Sequence, residues 1–244
     1  MHAQPACPDR LPRDPDEIRQ PLTPLAAGRL VAALARALEG AHDAGVVHGD
    51  LRPENVFLLA SPTRRIALSR PVLLDAALHR LRTQPLALDE ALPPEKLAYL
   101  APEQARVRTN ATDAAADMFA LGTILYECLT GRRAFGGATQ EEVLARLDAP
   151  PELLGTTQGL EAPQELLALL DVIIAGACAG QQEARIPTME RLRAALMQSY
   201  AGVGLPLDEA EMPARRSPPV GTAELAAGAP AAREPPAPAA SEKH

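Results

Sequence analysis

The sequence predicts a mainly α fold with a small β-hairpin, an α+β arrangement in which helices dominate. Three observations predict it. Leu30, Leu34, Leu38 and Ala41 recur at spacings of three and four, the period of one helix face. Ala114 to Leu129 is apolar on nearly every face, with Met118, Phe119, Leu121, Ile124, Leu125 and Tyr126. A helix of that kind belongs in the middle of a domain, not on its surface. Val56-Phe57-Leu58-Leu59 and Pro71-Val72-Leu73-Leu74 are apolar runs of strand length, and Ser61-Pro62-Thr63-Arg64-Arg65 between them reads as a turn.

Taken in order, residues 1–24 are rich in Pro, Asp and Arg, hold no sustained period, and read as an irregular lead-in. The first helix runs from about Gly28 to Ala44, and Gly45 sits where a residue past a helix C-terminus belongs. Val46-Val47 reads as a short β segment entering His48-Gly49-Asp50-Leu51-Arg52-Pro53-Glu54-Asn55. Pro53 fixes its own φ and pushes Arg52 out of the α region, which argues against a helix turn there. The hairpin follows and ends at Asp75, with Ile66-Ala67-Leu68 unassigned between its two runs. Residues 79–96 are polar and Pro-containing without a clear period, and a loop of that length in a compact domain is usually functional or mobile.

Thr112 or Asp113 can cap the apolar helix, and Gly131 ends it. Thr139-Gln140-Glu141-Glu142 is a capping box opening a short helix to about Leu147. Two further helices run from about Pro163 to Cys178 and from about Thr188 to Ser199. From about Gly204 the composition shifts to Pro, Ala, Glu and Arg with few large apolar side chains, as in disordered segments. The division is a lead-in over 1–24, a folded domain over 25–200 and a disordered Pro/Ala-rich tail over 201–244. No internal repeat is visible.

Composition narrows the function classes. The 244 residues are 47% hydrophobic, enough for one real core. A net charge of -7 argues against general nucleic-acid or anionic-membrane binding, and an aromatic content of 2% argues against base stacking. Cys7, Cys128 and Cys178 are scattered and make no CxxC pair, so neither a zinc site nor a disulfide framework is predicted. Cys128 and Cys178 read as buried small apolar side chains. MHAQPACPDR has no apolar signal-peptide core. The run from Leu166 to Ala179 is interrupted by Asp171 and falls short of the roughly 18 apolar residues that span a bilayer. The expectation is a cytoplasmic protein without nucleic-acid or membrane partners.

The stretch from His48 to Asn55 carries the chemistry. It can bring a carboxylate, a cation and an amide to one small site. That set suits phosphoryl transfer, with Asp50 orienting a hydroxyl, Arg52 meeting phosphate charge and Asn55 ligating a metal. The plainer reading is also open: Asp50 and Asn55 hold the loop by bonding backbone groups, and Arg52 is a solvated cation. His48 reads as a packed core histidine, and His42 as a helix-end residue partnering a carbonyl.

Five runs in order resemble the C-terminal lobe of protein kinases, over about residues 22–200. Ala41-His42-Asp43-Ala44-Gly45-Val46-Val47 leads into the 48–55 loop, which is similar to the family's H-R-D-L-K-P-E-N. Val72-Leu73-Leu74-Asp75-Ala76-Ala77-Leu78 stands in the place of D-F-G. Tyr99-Leu100-Ala101-Pro102-Glu103 resembles the A-P-E end of the activation segment. Asp117 to Gly122 with Tyr126 to Gly131, and then Arg185-Ile186-Pro187-Thr188-Met189, are similar to the central helix and the late arginine. The R-P-E-N form resembles serine/threonine kinases, and the lead-in looks bacterial.

The resemblance implies Asp50 and Arg52 as catalytic residues and Mg-ATP as cofactor, with Asn55 and Asp75 binding it through Mg²⁺. It also implies a buried ion pair between Glu103 and Arg185, and an Asp117 that accepts hydrogen bonds from the loop backbone. The departures bear on activity. Gly49 replaces the family's Arg, Arg52 its Lys, and Ala76 and Ala77 its Phe and Gly. Glu95-Lys96 occupies the usual Gly-Thr, so that Lys96 can pair with Asp50. Residues 1–47 hold no G-x-G-x-x-G and no V-A-I-K, the elements that grip ATP in the family's N-lobe.

Phe57, Leu59 and Val72 would face that lobe in a full kinase. Here they form either an exposed apolar patch for a protein partner or a surface covered by the N-terminal segment. Thr83 is a lone phosphosite candidate. Three functions fit these residues. One is a degenerate, pseudokinase-like binding or regulatory module with weak or no catalysis and no cofactor. Another is an ATP-dependent serine/threonine kinase whose N-lobe lies upstream or on another chain. The last is a non-functional remnant. Oligomeric state is left open.

Overall fold

The computed structural model describes residues 21–60, 66–74, 92–107, 113–147 and 149–207. The expectations for residues 1–20, for the 61–65 turn, for Asp75, Ala76, Ala77, Thr83 and Thr112, and for the tail from 208 onward lie outside the described residues. So does the side chain of Leu59.

Helix α1 spans Pro24–Asp43. It starts earlier than the apolar period suggests because Thr23-Pro24 is a start signal. The Thr23 hydroxyl accepts the Ala26 N–H at 3.3 Å, and Pro24 occupies the first helical position. Gly45 follows the helix at φ 72° and donates its N–H to the His42 carbonyl. Val46-Val47 is not a β segment. The Val46 N–H turns back to the Ala41 carbonyl at 2.8 Å, so its hydrogen bond goes to the helix end rather than to a neighbouring strand.

Pro53–Asn55 forms a single 3-10 turn, which the proline argument did not anticipate. Arg52 is extended at φ -161°, as a residue before proline should be, but the fixed φ of Pro53 itself suits the first position of a turn. Strands β1, Val56–Ala60, and β2, Ile66–Leu73, pair antiparallel, so Ile66-Ala67-Leu68 belongs to the second strand. Val56 faces Leu73 and Phe57 faces Val72, with an irregularity between Leu58 and Ala60. The alternation of a pleated strand turns Val56, Leu58 and Leu73 to the core and Phe57 and Val72 to solvent.

The 79–96 stretch is not irregular throughout. Helix α2, Pro94–Leu97, takes its last part, with Pro94 at the first helical position. Helix α3 is Pro102–Val107. Helix α4, Ala114–Thr130, is buried almost throughout and has α1 and α6 as neighbours. Asp113 caps it by accepting the Ala115 and Ala116 N–H groups, and left-handed Gly131 closes it. Helix α5, Gln140–Arg146, starts at Thr139, whose hydroxyl accepts the Glu142 N–H. The Glu142 carboxylate reaches back one residue further than a capping box requires, to the Ala138 N–H.

Helices α6, Gln164–Ala177, and α7, Met189–Gly202, complete the domain. The folded chain continues beyond 200, with Leu207 buried. Helix α7 closes against α1 through Tyr200, whose hydroxyl donates to the Pro24 carbonyl at 2.6 Å. Its ring lies where only a glycine fits: a Cβ on Gly28 would sit 2.6 Å from the ring. Cys178 is buried and Cys128 half-buried, and neither is in a disulfide. No helix among the described residues is long and apolar enough to cross a membrane. The fold is mainly α, with the two-stranded hairpin above the helices, as in a kinase C-lobe.

Candidate active-site loop

The 48–55 loop is hung from α4. Asp117, buried in the first turn of that helix, accepts the His48 N–H at 2.8 Å on Oδ2 and the Gly49 N–H at 2.7 Å on Oδ1. His42 Nε2 contacts the same Oδ2 at 2.8 Å, so its partner is a carboxylate and not the expected carbonyl. Gly49 takes φ 75° to present its N–H this way, a conformation that costs any residue with a Cβ. The residue standing where the family has arginine is therefore suited to the backbone it must adopt.

His48 is buried, as expected, and holds the far side of the loop. Its Nε2 lies 2.9 Å from the Leu74 carbonyl, and the Leu74 N–H donates to the Asn55 carbonyl at 2.9 Å. These two bonds fix the backbone immediately before Asp75, which itself lies outside the described residues. Asn55 is 5% exposed, and its amide nitrogen donates to the Asp50 carbonyl at 2.7 Å. With the nitrogen engaged, the Asn55 amide oxygen is the atom left to meet a cation.

The Asp50 carboxylate meets two cations on one oxygen. Lys96 Nζ, from α2, lies 3.7 Å from Oδ2, and Arg52 Nε lies 3.8 Å from it. Arg52 Nε is buried yet has no hydrogen-bond partner among the described residues. Asp50, Arg52, Asn55 and Lys96 thus come together, and Asp75 is approached only through Leu74. Among the described residues no three His, Cys, Asp or Glu side chains converge on a metal-sized site.

One contributor was not legible in the sequence. Gln104, directly after Glu103, is buried, accepts the Ala101 N–H at 3.1 Å and donates to the Gly49 carbonyl at 3.0 Å. Both its amide atoms are used to tie the end of the activation-segment run to the loop. Gln104 sits between Glu103 and Ala105 at no spacing that marks it, so no sequence signal singled it out. Arg185 and Glu103 form the expected ion pair, with both contacts at 2.7 Å. Above the loop, Phe57, Val72 and Leu74 are exposed at 46%, 37% and 38%, and together they form an apolar face on the hairpin.

Comparison with known proteins agrees with this geometry. A family model described as the protein kinase domain matches residues 14–195. Serine/threonine-protein kinase PkaA of Streptomyces coelicolor is 34% identical over 193 residues, covering 79% of this chain and 33% of PkaA. Serine/threonine-protein kinase Pkn1 of Myxococcus xanthus is 33% identical over 213 residues, 83% of this chain and 28% of Pkn1. Serine/threonine-protein kinase PknB of Mycobacterium tuberculosis is 30% identical over 196 residues, 78% of this chain and 29% of PknB. The chain spans about a third or less of the length of these relatives. From the loop hung on Asp117, the Glu103–Arg185 pair and these matches together, the chain belongs to the protein kinase family, of the bacterial serine/threonine type.

Proposed function

We propose that this chain is a cytoplasmic, pseudokinase-like binding or regulatory module with weak or no phosphotransfer, and that it engages a protein partner through the outer face of its hairpin. The observation that carries the reading is the pair of cations on Asp50. Lys96 Nζ and Arg52 Nε share the carboxylate oxygen that would orient a substrate hydroxyl, and so compete with that hydroxyl for it. Phe57 and Val72 support the partner half, because these cross-strand neighbours are both exposed and apolar. Thermal denaturation with and without Mg-ATP tests the reading, using wild type and Asp75→Asn. No shift in either protein is expected, and a shift that Asp75→Asn abolishes would reverse it.

A second reading is favoured by one observation of its own. The Arg52 Nε, buried and without a hydrogen bond, and the amide oxygen of Asn55, whose amide nitrogen is engaged by Asp50, suit an anionic phosphate and its Mg²⁺. On this reading the chain is the substrate-side lobe of an ATP-dependent serine/threonine kinase, and another segment or chain grips the ATP. Asp50 then orients the hydroxyl, and Asn55 and Asp75 hold Mg²⁺. Phosphate incorporation into a generic serine/threonine substrate separates the two readings.

A further inference from the structure

We infer that the outer face of α6 is a docking surface for an amphipathic helix with basic flanks, carried by another protein. Helix α6 is apolar on both sides. Leu166, Leu170 and Ile173 pack into the core, while Leu169 and Val172 remain 43% and 71% exposed on the other face. Exposed Ala168 and Ala175 continue that outer face and are small enough for a second helix to approach closely. Leu153, 61% exposed, joins the patch, because the neighbouring Leu154 N–H is pinned to Asp171 Oδ1 on α6 at 2.8 Å. Two large apolar side chains on an exposed helix face mark it as a contact surface.

Charge selects the occupant. From Glu152 to Ala184 the chain carries five acidic residues and no Lys or Arg. Glu165 lies on the exposed face itself, one turn before Leu169, and exposed Glu152 precedes Leu153. Glu165 and Glu152 thus border the apolar centre, and exposed Arg132 shares the neighbourhood of Glu152 and Asp171 around Tyr126. A second copy would bring like charges together, and an anionic membrane would be repelled. A helix bearing an apolar stripe between Lys or Arg residues complements both features.

The test is fluorescence anisotropy of a labelled synthetic helix of Leu and Lys, its Leu residues in one stripe, titrated with the full chain. Binding is expected, with at least about ten-fold loss in Val172→Glu, no loss in Phe57→Glu, and no binding of the same peptide with Glu for Lys. Charge attraction alone would strengthen binding to Val172→Glu, so a loss reports the apolar contact. Leu153→Glu, outside the helix, gives the same reading if Val172→Glu does not fold. Equal binding by these variants overturns the proposal. So does a wild-type dimer in sedimentation that Val172→Glu converts to monomer, which would make the occupant a second copy.

Discussion

Arg185 grips both carboxylate oxygens of Glu103 at 2.7 Å across 82 residues of chain. The guanidinium also donates to the Ala179 and Ala115 carbonyls and lies 5.2 Å from the Phe119 ring centre. It therefore joins α3, the start of α4 and the segment before α7. The Arg185 side chain is 1% exposed and that of Glu103 29%, so the cation bears most of the burial. Glu103→Gln leaves it uncompensated and is expected to cost about 3–5 kcal/mol. In urea denaturation, Glu103→Gln combined with Arg185→Met should lose less than the sum of the single changes.

Asp117 has a comparable role for the loop. Asp117→Ala leaves the buried N–H groups of His48 and Gly49 without acceptors, at about 1–3 kcal/mol each. Hydrogen exchange at those two loop amides should accelerate more than exchange within α4. Unchanged protection would mean that the loop is held by His48 and Gln104 instead.

At Gly49 the expected effect is smaller and purely conformational. Gly49→Ala adds a Cβ at φ 75° and should cost about 1–2 kcal/mol in chemical denaturation. A stability unchanged by the substitution would show that the loop relaxes out of this geometry at little cost.

Lys96→Thr restores the residue type that the family carries and removes one cation from Asp50. Both side chains are partly exposed, at 17% and 23%, and such pairs contribute little. Stability should change by no more than about 0.5 kcal/mol. Phosphotransfer appearing in Lys96→Thr, absent from wild type, would identify Lys96 as the element that silences the loop.

Alkaline pH should destabilise the fold. Burial pushes the Cys178 thiol from its ordinary 9.0 up to about 12, and burial also raises the Tyr200 and Tyr126 phenols above 10.0. In each case the unfolded chain loses its proton first. Stability is therefore complete below the unfolded value and falls as pH rises toward the folded one, by about 1.4 kcal/mol per pH unit for each ionised group. Melting temperature should be flat near neutrality and decline from about pH 9 upward. Iodoacetamide should leave Cys178 unmodified until the protein unfolds.

Much of the fold was legible because its signals are local. The caps at Asp113, Thr139 and Thr188 act on N–H groups two or three residues away, so the bonding pattern is written in adjacent residues. The all-round apolar character of α4 likewise identified the centre of the domain. The errors were local as well. At Val46-Val47 a helix end took the bond expected of a strand, and at Pro53 the residue that bars a helix interior opened a turn.

The sequence by itself determined the family, the order of the main helices and the hairpin, and the residue types of the loop: a carboxylate, a cation and an amide within Asp50 to Asn55. Only the tertiary structure decided their partners. His42 meets Asp117 across 75 residues and Gln104 meets Gly49 across 55, whereas the Lys96–Asp50 pairing was expected and only the short helix that delivers it was not. Periodicity and capping report which face of an element is buried. They do not report which buried polar group another element brings to it, because that depends on how the helices pack.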